Sequence, residues 1–215
     1  RGFGVTAGTF DDPARLAERQ TAILGNGPRI APLAPADRTP EQQALIERAQ
    51  PPAEIRQQRG GDDTEWVEIM AHHAALFAKH MVFAQAFMVD AALSPRHREL
   101  AVLRLAWICG APFEWGGHVT IGKICGLSGD DIVAVITGPE AMHWSAQERA
   151  VLRATDELHF DSMIGDDTWQ ALSQGFDARQ LIELVMLLGH YKTVAFYQNA
   201  LRFRLPEGNE GLFAR

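Results

Sequence analysis

Several things are scarce in this chain. Only two cysteines and two tyrosines occur in 215 residues. Cys109 and Cys125 are too far apart for a CxxC redox pair and match no zinc-ligand spacing. Both stand in apolar surroundings, so they read as buried free thiols, which suits a reducing cytoplasm. No apolar run reaches the roughly 18 residues a membrane span needs. The N-terminus has no apolar signal core, so the expectation is a cytoplasmic protein, neither exported nor membrane-spanning. The first residue is Arg1 rather than Met, which points to a natural start elsewhere. Basic residues number 20 against 27 acidic ones, for a net charge of −7. They are scattered rather than gathered into a stripe, so the footprint of a nucleic-acid binder is absent. A nucleophile elbow, a Gly-rich phosphate loop and a GxGxxG fingerprint are missing too, which leaves acyl transfer, phosphoryl transfer and dinucleotide chemistry without support. A small-molecule substrate or a protein partner remains.

What is present is helical. Residues 1–63 hold the prolines at positions 13, 28, 32, 35, 40, 51 and 52. They read as a Pro-rich arm of short helices, "DPARLAERQTAIL" and "TPEQQALIERA", joined by extended connectors that wrap the core or a neighbouring subunit. The globular body spans 64–215. Its first stretch, "TEWVEIMAHHAALFAKHMVFAQAFMV", has helical apolar spacing and is long enough to break into two helices. Ser94, Pro95 and Gly110 bracket the next helix as N-cap, first turn and stop. Ser128 and Gly138 bracket another, and Ser145 with Glu148 forms a capping box. "DARQLIELVMLLGHYKTVAFYQNALRFRL" closes the chain as one long, mostly buried helix or two. The predicted class is all-α, and the apolar Met- and Phe-rich stretch at 69–89 argues against a lone monomer.

One internal echo stands out. "ELAVLRLAW" at 99–107 resembles "ERAVLRATD" at 148–156, and the same offset of 49 lays "GLSGDDIVAVITG" over "GFDARQLIELVMLLG". This predicts a degenerate duplicated helical unit. His118 has no counterpart, because position 167 is Asp.

The densest chemistry lies in "GAPFEWGGHV". His118 follows Glu114 by four residues, so on one helix they share a face and can hydrogen-bond. Gly116 and Gly117 cost the helix up to about 1 kcal/mol each relative to Ala, and they would let a helix or a ligand approach beside His118. Glu99 lies on a face otherwise made by Val102, Leu103 and Ala106, which turns it inward or into a cleft; the alternative is a solvated glutamate in the first turn. A histidine with a carboxylate beside it is an acid–base unit. Phe113, Trp115 and Tyr191 would wall an apolar pocket, with His190 and Tyr197 on the same long helix as further candidates. Arg104 could grip a substrate carboxylate with two parallel hydrogen bonds, or serve packing. His72 and His73 are adjacent and cannot face one site. His159 lies three after Asp156, but without a pair of Glu-x-x-His motifs no metal site is expected.

The stretch "RELAVLRLAWICGAPFEWGGHVTIGKICGLSGDDIVAVITGP" resembles the central segment of the carboxymuconolactone decarboxylase family, which includes alkylhydroperoxidase-like proteins. "ELVMLLGHYKTVAFYQNAL" is similar to that family's closing helix. The resemblance implies an alkylhydroperoxidase-like helical bundle assembled as trimers or hexamers. In the peroxidase branch a Glu, a CxxC pair and a His follow one another; here Glu99 and His118 match the Glu and His, while Ala111 and Glu114 stand where the cysteines would be. A dithiol reaction is therefore excluded, since thiolate and resolving partner are both missing. The decarboxylase branch is similar in keeping an acid four residues before the His. It implies a cofactor-free lyase acting on a lactone or carboxylic acid from aromatic-compound breakdown, with His118 as acid–base group and Glu99 and Glu114 orienting it or relaying protons. Two rivals remain: an inactive member serving as a binding scaffold, and a redox protein using Cys109.

Overall fold

In the computed structural model, residues 12–49 and 64–215 are described; the remainder of the expected arm, 1–11 and 50–63, lies outside the described residues. The capping signals place the helices. Asp12 caps α1 (Pro13–Leu24), and α2 (Pro40–Ala49) follows. The long apolar stretch does break: α3 (Glu65–Met70) gives way to a 3-10 turn at Ala71–His73 and then to α4 (Ala74–Ala86). Ser94 accepts from the His97 N–H to open α5 (Pro95–Ile108), which leads into α6 (Pro112–Ile124). Capping boxes Ser128/Asp131 and Ser145/Glu148 open α7 (Gly129–Thr137) and α8 (Ala146–Phe160). α9 (Asp166–Ser173) is short, and a third box, Asp177/Gln180, opens α10 (Ala178–Leu201), one continuous helix. The described residues form no strand.

α5 is the axis of the bundle. Every residue from Arg98 to Ile108 is buried, because α6, α8 and α10 cover it from different sides. The two arginines of that buried stretch each have an acid, Arg98 with Glu99 and Arg104 with Asp156. Gly110 takes φ +55°, in the left-handed region; this lets the chain reverse after α5 and lays α6 back against it. That reversal brings position 118 alongside position 99.

α1 docks on this body: Leu16 enters the main core, Arg19 donates to the carbonyls of Cys109 and Gly110 at the end of α5, and Gln20 accepts from the Leu212 N–H at 2.7 Å. α2 builds a smaller apolar cluster with Val67, Ala71 and Phe77, so the arm and the start of the body pack as one unit.

The helix order follows the sequence echo: α5–α6–α7 is followed by α8–α9–α10, and the boxes Ser128/Asp131 and Asp177/Gln180 fall at the same offset. The units diverge at the aligned glutamates. Glu148 is the third residue of its helix and caps it, whereas α5 starts two residues earlier relative to Glu99. Glu99 is thereby carried into the second turn and faces inward.

Candidate active site

Glu99 is fully buried. Its Oε2 lies 2.7 Å from His118 Nδ1, and its Oε1 accepts from Arg98 Nε at 2.9 Å. Both oxygens are thus occupied. Burial pushes this carboxyl up, but His118 and Arg98 together outweigh it and hold Glu99 below the ordinary value. An ionised Glu99 fixes the tautomer: His118 Nδ1–H donates to it, and Nε2 is left for a bound molecule. The Tyr191 ring meets His118 edge-on at 5.0 Å and sets the imidazole plane.

His118 borders a cavity of 280 Å³. α6 supplies Phe113, Glu114, Gly116, Gly117 and His118; α10 supplies His190, Tyr191, Tyr197 and Gln198; α4 closes the opposite side with His80 and Met81. Pro206, Gly208 and Asn209 complete the rim. Among the described residues, neither lysine nor arginine lines it. The two glycines divide their work. A side chain at 116 would collide with Asn209, so Gly116 admits the C-terminal segment, while Gly117 has no atom within 4 Å of a would-be Cβ and keeps the space beside His118 open.

Glu114 also borders the cavity and is completely buried, but it does not hydrogen-bond to His118. Neither of its oxygens has a partner among the described residues. Burial therefore raises it well above the ordinary carboxyl range, which favours the protonated, uncharged acid. The four-residue spacing from Glu114 to His118 gives a shared face, not a contact.

Two of the expected binding residues lie elsewhere. Arg104 is a correction: it forms a two-pronged pair with Asp156 (2.6 and 2.8 Å) and donates to the carbonyls of Val135 and Ile136, so four of its five N–H groups are spent within the fold, and it does not line the cavity. Trp115 is another: its ring packs on Trp107 in the core and its Nε1–H donates to the Ala214 carbonyl at 3.1 Å. Phe113, Tyr191 and His190 do line the cavity. His190 stacks on His80 at 4.7 Å, and burial together with the neighbouring imidazoles lowers it to about 4. His80 and Gln198 carried no sequence signal, because they reach the cavity only through the packing of α4 against α10. His72 contacts the Ala31 carbonyl, and both His72 and His73 are exposed.

Cys109 lies in a separate surface groove with His159 and Lys192. Burial pushes its thiol up to about 12, despite Lys192 nearby, so the thiolate needed for redox chemistry does not form. His159 accepts from Lys192 at 2.8 Å, and Asp156 is spent on Arg104. No metal-holding group of three or more His, Cys, Asp or Glu occurs among the described residues, and none of their helices is long and apolar enough to cross a membrane.

Known proteins of the same fold share this bundle. A protein of unknown function from Agrobacterium tumefaciens, described as an AhpD-type antioxidant defence candidate, superposes with a TM-score of 0.58 at 23% identity, over 61% of this chain and 90% of its own. The debrominase Bmp8 superposes at 0.63 with 12% identity, over 82% and 91%, both in its apo form and as a cysteine-to-alanine variant in complex with 2,3,4-tribromopyrrole. No curated protein matches the chain. The model of the carboxymuconolactone decarboxylase family matches residues 74–157, the segment that holds Glu99, Glu114 and His118. Over that segment the chain is similar to the carboxymuconolactone decarboxylase family, and it carries no CxxC pair.

Proposed function

We propose that this protein is a cofactor-free acid–base enzyme of lyase or isomerase type, in which His118 moves a proton at a carbon next to a carbonyl in a small ring. The observation that carries this reading is the His118–Glu99 pair, 2.7 Å apart, at the wall of a cavity large enough for one ring. Neutral His118 removes a proton through Nε2, and buried Glu99 stabilises the imidazolium that forms; the electron pair passes into the ring carbonyl as an enolate, and the proton returns at carbon. With a carboxylated lactone the same parts run a decarboxylation: the C–CO2 bond breaks, its electrons enter the carbonyl, and imidazolium protonates the carbon and recovers a proton from water. Glu99 positions the histidine and does not touch the substrate.

The complex of Bmp8 with tribromopyrrole supports a planar ring as the occupant of this fold. A thiol route has no nucleophile here, since no cysteine lines the cavity. A scaffold would fill this space with side chains, and Gly117 does the reverse. Exposed Ile182, Met186 and Phe196 on α10, with Val82 on α4, support a homo-oligomer, which light scattering tests.

The test of function follows solvent deuterium uptake and CO2 release from a panel of small lactones and cyclic carbonyl compounds. Folded His118→Gln is expected to lose on the order of 10²–10⁴-fold in rate. Full turnover by folded His118→Gln would remove the mechanism, and a wild-type protein that neither binds nor turns over any ring would leave the scaffold reading.

A further inference from the structure

The cavity holds a set of polar atoms that the His118–Glu99 pair leaves unused. Both oxygens of Glu114 and the Oε1 of Gln198 are buried without a hydrogen-bond partner among the described residues. Neither Glu114 oxygen is exposed, and among the described residues no lysine or arginine lines the cavity to offset a negative charge. A protonated carboxyl presents one O–H donor and one carbonyl acceptor side by side; Gln198 adds a second acceptor. Buried polar atoms of this kind are unfavourable until something pairs with them, which makes them selective for a ligand that does.

The geometry points to an uncharged cyclic amide as the ligand of this site, its carbonyl accepting from the Glu114 hydroxyl and its N–H donating to a Glu114 or Gln198 carbonyl oxygen. The inference rests on the cavity being the substrate site, and it narrows the proposed chemistry to the isomerase side, because such a ring has no carboxylate to lose. A lactone of the same shape offers acceptors only and leaves Gln198 unpaired. A ring carboxylate meets no lysine or arginine among the described lining residues, and placing it there costs its hydration without a fixed counter-charge. The volume of 280 Å³ fits one ring and excludes long acyl chains. The raised Glu114 carboxyl agrees with this assignment.

The test compares three probes at pH 7 by calorimetry: a five-membered unsaturated lactam, the lactone of the same ring, and the lactam bearing a ring carboxylate. The lactam is expected to bind at least tenfold more tightly than either of the others. Glu114→Gln, which keeps a donor beside an acceptor without charge, should hold lactam affinity within about threefold; Glu114→Leu and Gln198→Leu should each lose tenfold or more. Infrared difference spectra of wild type against Glu114→Gln should show a protonated carboxyl stretch at pH 7 that shifts when lactam is added. Tighter binding of the carboxylated ring overturns the inference, as does equal loss in Glu114→Gln and Glu114→Leu, or no binding of the lactam at millimolar concentration. His118→Gln separates the two proposals: it should bind lactam normally while losing turnover, so a failed acid–base mechanism and a wrong ligand class give different results.

Discussion

Asn209 occupies the space that a side chain at position 116 would need: its Oδ1 lies over Gly116 and accepts from the Gly211 N–H, while its Nδ2 donates to the Phe113 carbonyl. Gly117, the next residue, faces open space. The two glycines should therefore respond in opposite ways to alanine. Gly116→Ala displaces Asn209 and its two hydrogen bonds; overpacking of this kind costs roughly 1–3 kcal/mol, more than the helix-propensity gain of up to about 1 kcal/mol. Gly117→Ala keeps that gain and should raise stability by a few tenths to about 1 kcal/mol, while its methyl group intrudes beside His118 and weakens ligand binding. Denaturant titration of both variants checks the sign. A Gly116→Ala protein as stable as wild type would show that the C-terminal segment does not seat on α6.

Glu99 is held from two sides, so its removal should register twice. Glu99→Gln leaves the buried Arg98 guanidinium without its acid, and breaking a buried pair by removing one partner costs about 3–5 kcal/mol. It also removes the charge that stabilises the His118 imidazolium, so the rate should fall on the order of 10²-fold. His118→Gln should cost much less stability, because the Arg98–Glu99 pair survives it. Unfolding curves and rates on the same preparations separate the two roles, and equal destabilisation by both variants would contradict this assignment.

The helical bundle was legible in the sequence because local chemistry fixes it: Ser94, Ser128, Ser145 and Asp177 cap their helices through side-chain bonds that depend on residues three positions away at most. The Glu99–His118 pair was legible through the family resemblance, which matches both positions; helical spacing alone pointed to Glu114 as the partner of His118, and the structure shows no bond between those two. Arg104 and Trp115 were not legible, because a residue type gives no direction. Whether Arg104 points to a substrate or to Asp156 depends on where α8 lies, and the partner of Trp115 is the carbonyl of Ala214, 99 residues away. The same limit hid His80. The exposed apolar face of α10 corrects the expectation of a mostly buried closing helix: Ile182, Met186 and Phe196 form a second apolar stripe that the single chain leaves uncovered.

Arg104 has a structural role that a stability measurement can isolate. Its guanidinium ties Asp156 to the carbonyls of Val135 and Ile136, joining α8 to the end of α7. Gly138, at φ +93°, lies so close to the guanidinium that a side chain there would displace it. Arg104→Leu strands Asp156 and two carbonyls and should cost about 3–5 kcal/mol. Arg104→Lys should recover only part of this, since an ammonium does not reproduce the two-pronged geometry. Neither variant should change ligand affinity once folded. A rise in ligand Kd for folded Arg104→Lys would return Arg104 to the binding site.

His190 predicts how stability depends on acidity. Burial, reinforced by His80 and His118, lowers its folded pKa from 6.5 to about 4. Between these values the unfolded chain takes up a proton that the folded chain refuses, so stability falls as the pH drops through this window, by up to about 1.4 kcal/mol per pH unit for one such group. Above pH 6.5 both states are neutral and the contribution vanishes; below pH 4 both are protonated and the loss is complete. His159, also lowered to about 4, acts in the same window but is partly exposed, so its share is smaller. His190→Phe keeps an aromatic ring against Phe83 and Phe87 and removes the proton. Its unfolding free energy should therefore decline less steeply than that of wild type between pH 6.5 and 4 and match it in shape at higher pH. Equal slopes for the two proteins would mean that His190 accepts its proton in the folded state, and that the stacked His80–His190 pair opens to water as the pH falls.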